Sequence, residues 1–190
     1  GGREGGVRIG GRRAAINPPA KAMQSGIGMV HQEFMLIPGF SITENIKLNR
    51  EITRPTVTSA LFGKSLRRLD REAMREDARA ALGEIGLSID EALPVAGLPV
   101  GYMQFIEIAR EIDKKNIRLL VLDEPTAVLT ESEAQELLKA MRHLSEKGIA
   151  MIFISHRLDE VMEISDSIVV LRDGEMVKLT NPRESAVADI

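Results

Sequence analysis

Four apolar residues run directly into two adjacent carboxylates in the segment Leu119-Leu120-Val121-Leu122-Asp123-Glu124-Pro125-Thr126. An apolar run this short, followed by a proline, predicts a strand that is buried on both faces of a parallel sheet. Carboxylates are costly to bury, so we expect the two acids at the mouth of the sheet, where α/β proteins bind ligands. One acid could hold a hydrated magnesium ion while its neighbour orients a water molecule, as phosphoryl transfer requires. The plainer alternative is a strand that ends in solvent-facing acids.

A second apolar strand is predicted downstream, at Ile149–Ile154. Between the two strands, residues 130–147 place apolar side chains at helical spacing, and Thr130 with Glu133 forms a capping box that starts this helix. Gly148 follows as the residue that ends it. A strand, a helix and a strand in this order form a βαβ unit, which predicts that the two strands are parallel.

Both strands of this unit lead into polar residues. The first ends in Asp123 and Glu124, and the second is followed by Ser155 and His156. Parallel strands end at the same edge of a sheet, so we expect the two acids and the histidine to face one crevice. A lone histidine at a strand end is more often structural than catalytic, but this one is accompanied by a pair of acids.

The composition is that of a globular protein with one domain. Of the 190 residues, 44% are hydrophobic and 28% are charged, which is ordinary for this class. The absence of Cys excludes disulfides, thiol catalysis and Cys-ligated zinc, and the formal charge of −3 argues against a general nucleic-acid binder. No apolar stretch approaches the ~20 residues of a membrane span, and no secretory signal is recognisable, so we expect a cytosolic chain.

The remaining elements follow from periodicity and turn residues. A charged amphipathic helix is predicted at 69–87, with a salt-bridged face exposed to solvent, and residues 51–66 are loop-like. The other predicted elements are a short strand around Val7 and Ile9, a helix from Pro19 to about Ser25, a strand at 26–30, a capping box at Ser41 and Glu44, a helix at 101–114, a helix from Leu158, and a hairpin at 168–179 that turns at Asp173-Gly174.

Five motifs occur in the order found in the nucleotide-binding subunits of ABC transporters, and together they cover nearly the whole chain. Val30-His31-Gln32-Glu33-Phe34 resembles the Q-loop, and Leu98-Pro99-Val100-Gly101-Tyr102, followed by a helix, resembles the signature motif. The segment 119–124 resembles the Walker B strand with its catalytic glutamate. Ala127–Thr130 occupies the D-loop position, and Ile154-Ser155-His156 resembles the switch-histidine loop.

This resemblance implies a fold and a set of partners. The fold would be α/β, with a P-loop NTPase-like parallel sheet and an inserted helical subdomain at about residues 41–114, all within one ABC ATPase domain that spans 1–190. In this family two cassettes, paired as a dimer or fused in tandem, sandwich two molecules of ATP with Mg²⁺. The helical subdomain would contact an integral membrane permease, which places the subunit at the cytoplasmic face of the membrane.

The resemblance also implies roles for individual residues. Asp123 is expected to hold Mg²⁺ through water, and Glu124 to polarise the attacking water. His156 is expected to contact the γ-phosphate, and Gln32 to sense both metal and phosphate. The residues expected to contact the nucleotide of the facing cassette are Leu98, Pro99, Val100, Gly101 and Tyr102.

The sequence departs from the family pattern, most clearly in the P-loop and in the signature motif. No G-x-x-x-x-G-K-[ST] segment precedes the Q-loop, and Gly63-Lys64-Ser65 imitates only the end of one. We therefore expect a cassette without its P-loop part, inactive alone in ATP hydrolysis, because the backbone nest and lysine that hold the phosphates are missing. In the signature motif, Pro99 and Tyr102 replace the usual serine and glutamine, whereas Gly101 is expected to let the backbone approach phosphate closely.

The wording of the motifs indicates a subgroup of the family. The segments 28–34, 98–101 and 123–130 resemble the first cassette of importers of simple sugars or nucleosides, in which two cassettes are often fused. Two alternatives stay open. One is a soluble ABC ATPase without a permease, which the negative net charge disfavours because such proteins act on DNA or ribosomes. The other is an inactive truncated cassette that serves only as a binding module, which the missing P-loop favours.

Overall fold

The computed structural model describes residues 7–9, 11–14, 19–55, 68–114 and 116–182. The strands in these ranges are β1 (Val7–Ile9), β2 (Arg12–Ala14), β3 (Ile27–Val30), β4 (Thr53–Arg54), β5 (Arg68–Leu69), β6 (Leu119–Asp123), β7 (Ala150–Ile154), β8 (Ile168–Arg172) and β9 (Glu175–Thr180). The helices are α1 (Pro19–Gln24), α2 (Ile42–Ile46), α3 (Arg71–Glu84), α4 (Val100–Ile112), α5 (Glu131–Glu146) and α6 (Leu158–Ile164). None of these helices is long and apolar enough to cross a membrane.

The central sheet consists of β3, β6 and β7, with β6 in the middle and both pairings parallel. Val30 of β3 lies beside Leu122 of β6, and Asp123 of β6 lies beside Ile154 of β7. The predicted βαβ unit is therefore confirmed, with α5 connecting β6 to β7. All three strands end at the same edge of the sheet, which brings the residues that follow them together.

The sheet is buried mainly on one face. Leu120 and Leu122 are fully buried in a core with apolar residues of α4 and α5, whereas Leu119 and Val121 are only half-buried. On β7, Ile152 is 48% exposed. The prediction of a strand buried on both faces is therefore wrong for the described structure. An apolar run shows that both faces can be buried, but not how many layers cover them.

Helix α5 begins with the capping box that the sequence predicts. The Thr130 hydroxyl accepts a hydrogen bond from the Glu133 N–H, and the Glu133 carboxylate accepts one from the Thr130 N–H at 2.9 Å. Gly148 follows the helix with a φ of 89°, a conformation that favours glycine. The side chains of Leu137 and Leu138 are fully buried, so this helix is fixed by both its ends and its apolar face.

Helices α2, α3 and α4 pack together within the predicted helical subdomain. Lys47, which follows α2, is only 4% exposed, and its ammonium group lies 2.6 Å from Asp77 of α3 and 2.9 Å from Asp113 after α4. A buried charge must be paired to be tolerated, and this one has partners on two helical segments. The ion pairs thus join all three helices, while the boundaries of the subdomain at 41 and 114 stay a prediction.

Helix α3 is shorter than the predicted helix 69–87. Asp70 caps its start by accepting a hydrogen bond from the Ala73 N–H at 3.1 Å, and the two residues before Asp70 form β5, which pairs with β4. The described part of the predicted loop 51–66 thus contains the short strand β4. The part of that loop from residue 56 onward, including Gly63-Lys64-Ser65, lies outside the described residues.

The predicted hairpin is confirmed as β8 and β9, which pair antiparallel. Asp173 and Gly174 have φ values of 53° and 83°, as in the two-residue turn whose twist matches that of the flanking strands. The Asp-Gly pair suits this turn because both positions need a positive φ.

Two arginines of the predicted salt-bridged face of α3 bind an acid outside the helix. The carboxylate of Glu91 is buried, and one of its oxygens lies 2.9 Å from Arg75 Nε and 2.7 Å from Arg79 Nη2. The hydrogen bond from Arg79 outweighs the effect of burial and lowers the pKa of Glu91 to about 2. Because its folded pKa is lowered, this carboxylate stabilises the fold above its ordinary pKa of 4.5, and the stabilisation is lost as the pH falls toward 2.

We expect Glu91→Gln to lower the free energy of unfolding by about 1–2 kcal/mol at pH 7, a value that allows for solvent screening of the two exposed arginines. Urea denaturation at a series of pH values should show that the difference from the wild type shrinks as the pH falls below 4.5. Glu76→Gln, which changes an exposed acid of the same helix, is the control. A difference that does not depend on pH would contradict this account of Glu91.

Candidate functional site

Three of the predicted site residues meet at the carboxylate of Glu124. Nδ1 of His156 lies 3.2 Å from one carboxylate oxygen, and Nε2 of Gln32 lies 3.5 Å from the other. Gln32 follows β3, Glu124 follows β6 and His156 follows β7, so each of the three parallel strands supplies one side chain. The parallel topology, rather than closeness in sequence, assembles this group.

The backbone at Glu124 has an unusual conformation. Its φ is 47°, in the left-handed region that non-glycine residues rarely occupy. Its N–H donates to the carbonyl of Ile154 at 2.9 Å, and its own carbonyl accepts from the Ala127 N–H at 3.2 Å. Strain of this kind persists only where surrounding interactions hold it, and it clusters at functional sites. The chain thus turns sharply at Glu124 while remaining attached to β7.

Asp123 is the last residue of β6 and is half-buried. Within the described ranges its carboxylate has no hydrogen-bond partner, so its oxygens remain available at the sheet edge. Mg²⁺ is bound through oxygen atoms, usually those of one or two carboxylates with waters and substrate phosphates. Asp123 supplies one such carboxylate. No cluster of three or more potential metal-ligating side chains occurs among the described residues, so water and phosphate would have to complete the coordination.

A buried acid behind the site ties two of its loops together. Glu160 of α6 is 2% exposed, accepts a hydrogen bond from the Thr126 hydroxyl at 2.5 Å and pairs with Arg157 at 2.7 Å. Thr126 lies two residues after Glu124, and Arg157 directly follows His156. Glu160 therefore fixes both loops relative to each other. The sequence analysis missed it, because an acid in the first turn of a helix is usually a surface residue.

The signature residues lie at the start of α4. Pro99 is the N-cap residue of the helix and makes no side-chain capping bond, while Val100 and Tyr102 are exposed and Leu98 is half-buried. Within the described residues, no hydrogen bond joins the signature residues to those around Glu124. A single chain therefore presents two separate sets of predicted nucleotide contacts.

Gly101 packs closely against a neighbour within the chain. A Cβ atom added there would lie 2.4 Å from Oε1 of Glu133, far closer than such contacts allow. Hydrogen bonds from Thr130 lower the pKa of Glu133, so this carboxylate stays ionised beside the signature backbone. From the sequence, Gly101 is expected to let the backbone approach phosphate closely. The structure supplies another reason, which is packing against the capping acid of α5.

Comparison with known proteins identifies the family. The family model described as "ABC transporter" matches residues 2–127. The chain belongs to the ABC transporter family. Similar curated proteins of this family include "Ribose import ATP-binding protein RbsA 1" of Rubrobacter xylanophilus, 39% identical over 173 residues, 91% of this chain and 32% of that protein. The protein of the same name from Burkholderia thailandensis is 40% identical over 177 residues, 93% of this chain and 33% of that protein. The chain thus spans about a third of the length of these relatives.

Solved ABC structures share the fold of this ABC chain. An ATP-binding cassette of an ABC transporter in its ADP conformation matches with a TM-score of 0.75 and 26% identity, covering 94% of this chain and 69% of that one. A nucleotide-free cassette matches with a TM-score of 0.76 and 25% identity, covering 94% of this chain and 70% of that one. The predicted α/β class, with the P-loop NTPase-like sheet of ABC ATPases, is confirmed.

We expect Gly101→Ala to destabilise the chain by about 1–2 kcal/mol, because the added methyl group must displace the Glu133 carboxylate or the helix start. In a Glu133→Ala background the same change should be neutral or stabilising, as is usual for Gly→Ala in a helix. Chemical denaturation of the two single variants and the double variant measures this coupling.

Gly83→Ala is the matched control for Gly101→Ala. Gly83 is helical, and an added Cβ there would meet nothing within 4 Å, so alanine should stabilise α3. If Gly101→Ala costs the same free energy with and without Glu133, the packing explanation is wrong.

Proposed function

We propose that this chain is part of the ATP-binding and ATP-hydrolysing subunit of an ABC importer for a simple sugar. The observation that carries the proposal is the contact of one carboxylate, Glu124, with both Gln32 and His156 at the edge of a parallel sheet, next to the available carboxylate of Asp123. The names of the relatives, which are ribose import proteins, support a sugar rather than a nucleoside.

The geometry supports a division of roles among these residues. Glu124 would accept a hydrogen bond from the attacking water and orient it toward the γ-phosphate of ATP. His156, whose Nδ1 contacts one oxygen of this carboxylate, would contact the γ-phosphate, and Gln32 would hold the other oxygen of the carboxylate. Asp123 and Gln32 would hold Mg²⁺ through water, and the ion would neutralise phosphate charge when bound.

Catalysis on this proposal requires groups that the 190 residues do not supply. Positioning and charge stabilisation account for nearly all phosphoryl-transfer catalysis, and the sequence contains no P-loop before Gln32. The separate signature residues at the start of α4, which do not contact Glu124, suit a second cassette that faces this one across ATP. Pairing could be through a dimer or a tandem fusion.

An exposed apolar patch is the proposed contact with a membrane permease. It consists of Ile37, Phe40 and Leu93, which are 37%, 38% and 42% exposed. The backbone beneath it is held firmly, since the Val95 N–H donates to the Phe40 carbonyl at 3.0 Å and the Ile42 N–H donates to the Leu93 carbonyl at 2.9 Å. We propose that these apolar side chains, which the two backbone hydrogen bonds bring close together, form a binding surface. Such contact would place the subunit at the cytoplasmic face of the membrane.

The catalytic role of Glu124 can be tested in a P-loop-complete form, in which a G-x-x-x-x-G-K-[ST] segment precedes residue 1. Glu124→Gln should lower kcat by 100-fold or more while nucleotide binding is kept, because an amide keeps the shape but cannot act as a base. Asp123→Asn should instead weaken the Mg²⁺ dependence of binding. Steady-state phosphate release and nucleotide titrations give these values.

The unmodified 190-residue chain is the control for that experiment, and its phosphate release should match a buffer blank. Equal loss of binding and turnover in the Glu124 and Asp123 variants would contradict the division of roles. Release by the 190-residue chain that requires Mg²⁺ and disappears in Glu124→Gln would show that no P-loop is needed.

Changes in the proposed permease surface should affect stimulated and basal ATPase activity differently. In the reconstituted importer, Phe40→Ser and Leu93→Ser should abolish most of the stimulation of ATPase activity by transported sugar, while the basal ATPase rate changes less than about twofold. Val177→Ser is the control, since Val177 is 62% exposed on the β8–β9 hairpin and lies outside the patch. Equal losses of basal and stimulated activity would show that the patch serves the cassette itself.

A further inference from the structure

The backbone of Met35 is held on both sides by two side chains of α4. Its N–H donates to Oε1 of Glu107 at 2.7 Å, and its carbonyl accepts from Nη1 of Arg110 at 3.0 Å. Glu107 and Arg110 also pair with each other, one turn apart on the helix. We call these two side chains the Met35 clamp. Met35 lies three residues after Gln32, so the clamp holds the end of the segment that carries this glutamine.

Helix α4 also holds the strand that leads into Gln32. Glu111, four residues after Glu107, accepts a hydrogen bond from the Met29 N–H at 3.2 Å and pairs with Lys114. Met29 belongs to β3, an outer strand of the three-stranded sheet. The Glu111 carboxylate thus accepts the hydrogen bond of a backbone N–H that a neighbouring strand would otherwise bind. Gln32 is therefore bracketed by two attachments, at 29 and 35, to the helix that begins with the signature residues.

The clamp has a high desolvation cost for a contact that would serve only the fold. Glu107 is 2% exposed and the side chain of Arg110 is 14% exposed. Burial raises the pKa of Glu107, against the opposing effects of Arg110 and the Met35 N–H. A buried ion pair is often no more stabilising than apolar residues of the same volume, and its best-attested benefit is a fixed arrangement. What the clamp fixes here is the backbone after Gln32.

We propose that Glu107 and Arg110 are positioning residues that attach the Gln32 segment to the signature helix, so that Gln32 stays against Glu124. The effect of this attachment on catalysis rests on the proposed ATPase function, whereas the attachment itself does not. The clamp acts on the reaction through Gln32. Its loss should therefore impair turnover only as far as Gln32 contributes to it.

The attachment is tested on the 190-residue chain without nucleotide. Hydrogen exchange should be at least tenfold faster at residues 33–37 in Glu107→Ala and Arg110→Ala than in the wild type, with exchange in β6 and α5 unchanged. Glu136→Gln, an exposed acid on α5, should have no effect. Glu107→Gln serves as the gentler variant if the alanine variants unfold, since it keeps the volume and an acceptor but loses the pairing with Arg110. Unchanged protection at 33–37 in folded variants would overturn the proposal.

The action through Gln32 is tested in the P-loop-complete form by a double-mutant cycle. Glu107→Ala should lower kcat about tenfold with less than a twofold change in KM for MgATP, and it should have little further effect in a Gln32→Ala background. A merely structural role would lower kcat equally in both backgrounds and would overturn the positioning role. If the wild-type form does not hydrolyse ATP, the proposed function fails, whereas the exchange experiment still decides whether the clamp attaches the segment.

Discussion

The parallel pairing of β6 with β7 fixes the geometry on which the candidate site depends. Asp123 lies beside Ile154 in the ladder, and the Glu124 N–H extends that ladder by one more hydrogen bond to the Ile154 carbonyl. The chain must then turn at Glu124 through a left-handed conformation. As a result, the carboxylate of Glu124 is within 3.2 Å of His156, although 32 residues separate the two in sequence.

Buried carboxylates stabilise the loops that follow the strands. Glu160 binds the loops after β6 and β7, Glu107 binds the segment after β3, and Glu111 binds β3 itself. The desolvation cost of each buried carboxylate is offset by an arginine or lysine together with hydrogen bonds. Apolar contacts alone are weakly directional, whereas a carboxylate that accepts from a particular N–H or hydroxyl defines one arrangement. This explains why charged groups lie buried beneath the site.

The elements that the sequence predicted well are those specified by neighbouring residues. The capping box of Thr130 and Glu133 spans four residues, the Asp173-Gly174 turn spans two, and the βαβ unit follows from consecutive patterns. The predictions that failed depend on distant partners. Helix α3 begins later than the sequence predicts, because residues 68 and 69 pair with β4, which lies more than ten residues earlier. The second face of β6 is half-buried because the core packs against Leu120 and Leu122 on the other face.

The sequence by itself determined the α/β class, the order of the motifs and the identity of the polar residues at the strand ends, because strand length, helical spacing and motif order are properties of a linear chain. Only the tertiary structure decided which side chains meet Glu124, which side chain Gly101 packs against, and how α4 holds the segment after Gln32. Gly101 abuts Glu133, and Met35 is bound by Glu107, across intervals of more than thirty residues. Such contacts depend on how helices and strands are packed in three dimensions, which no local pattern encodes.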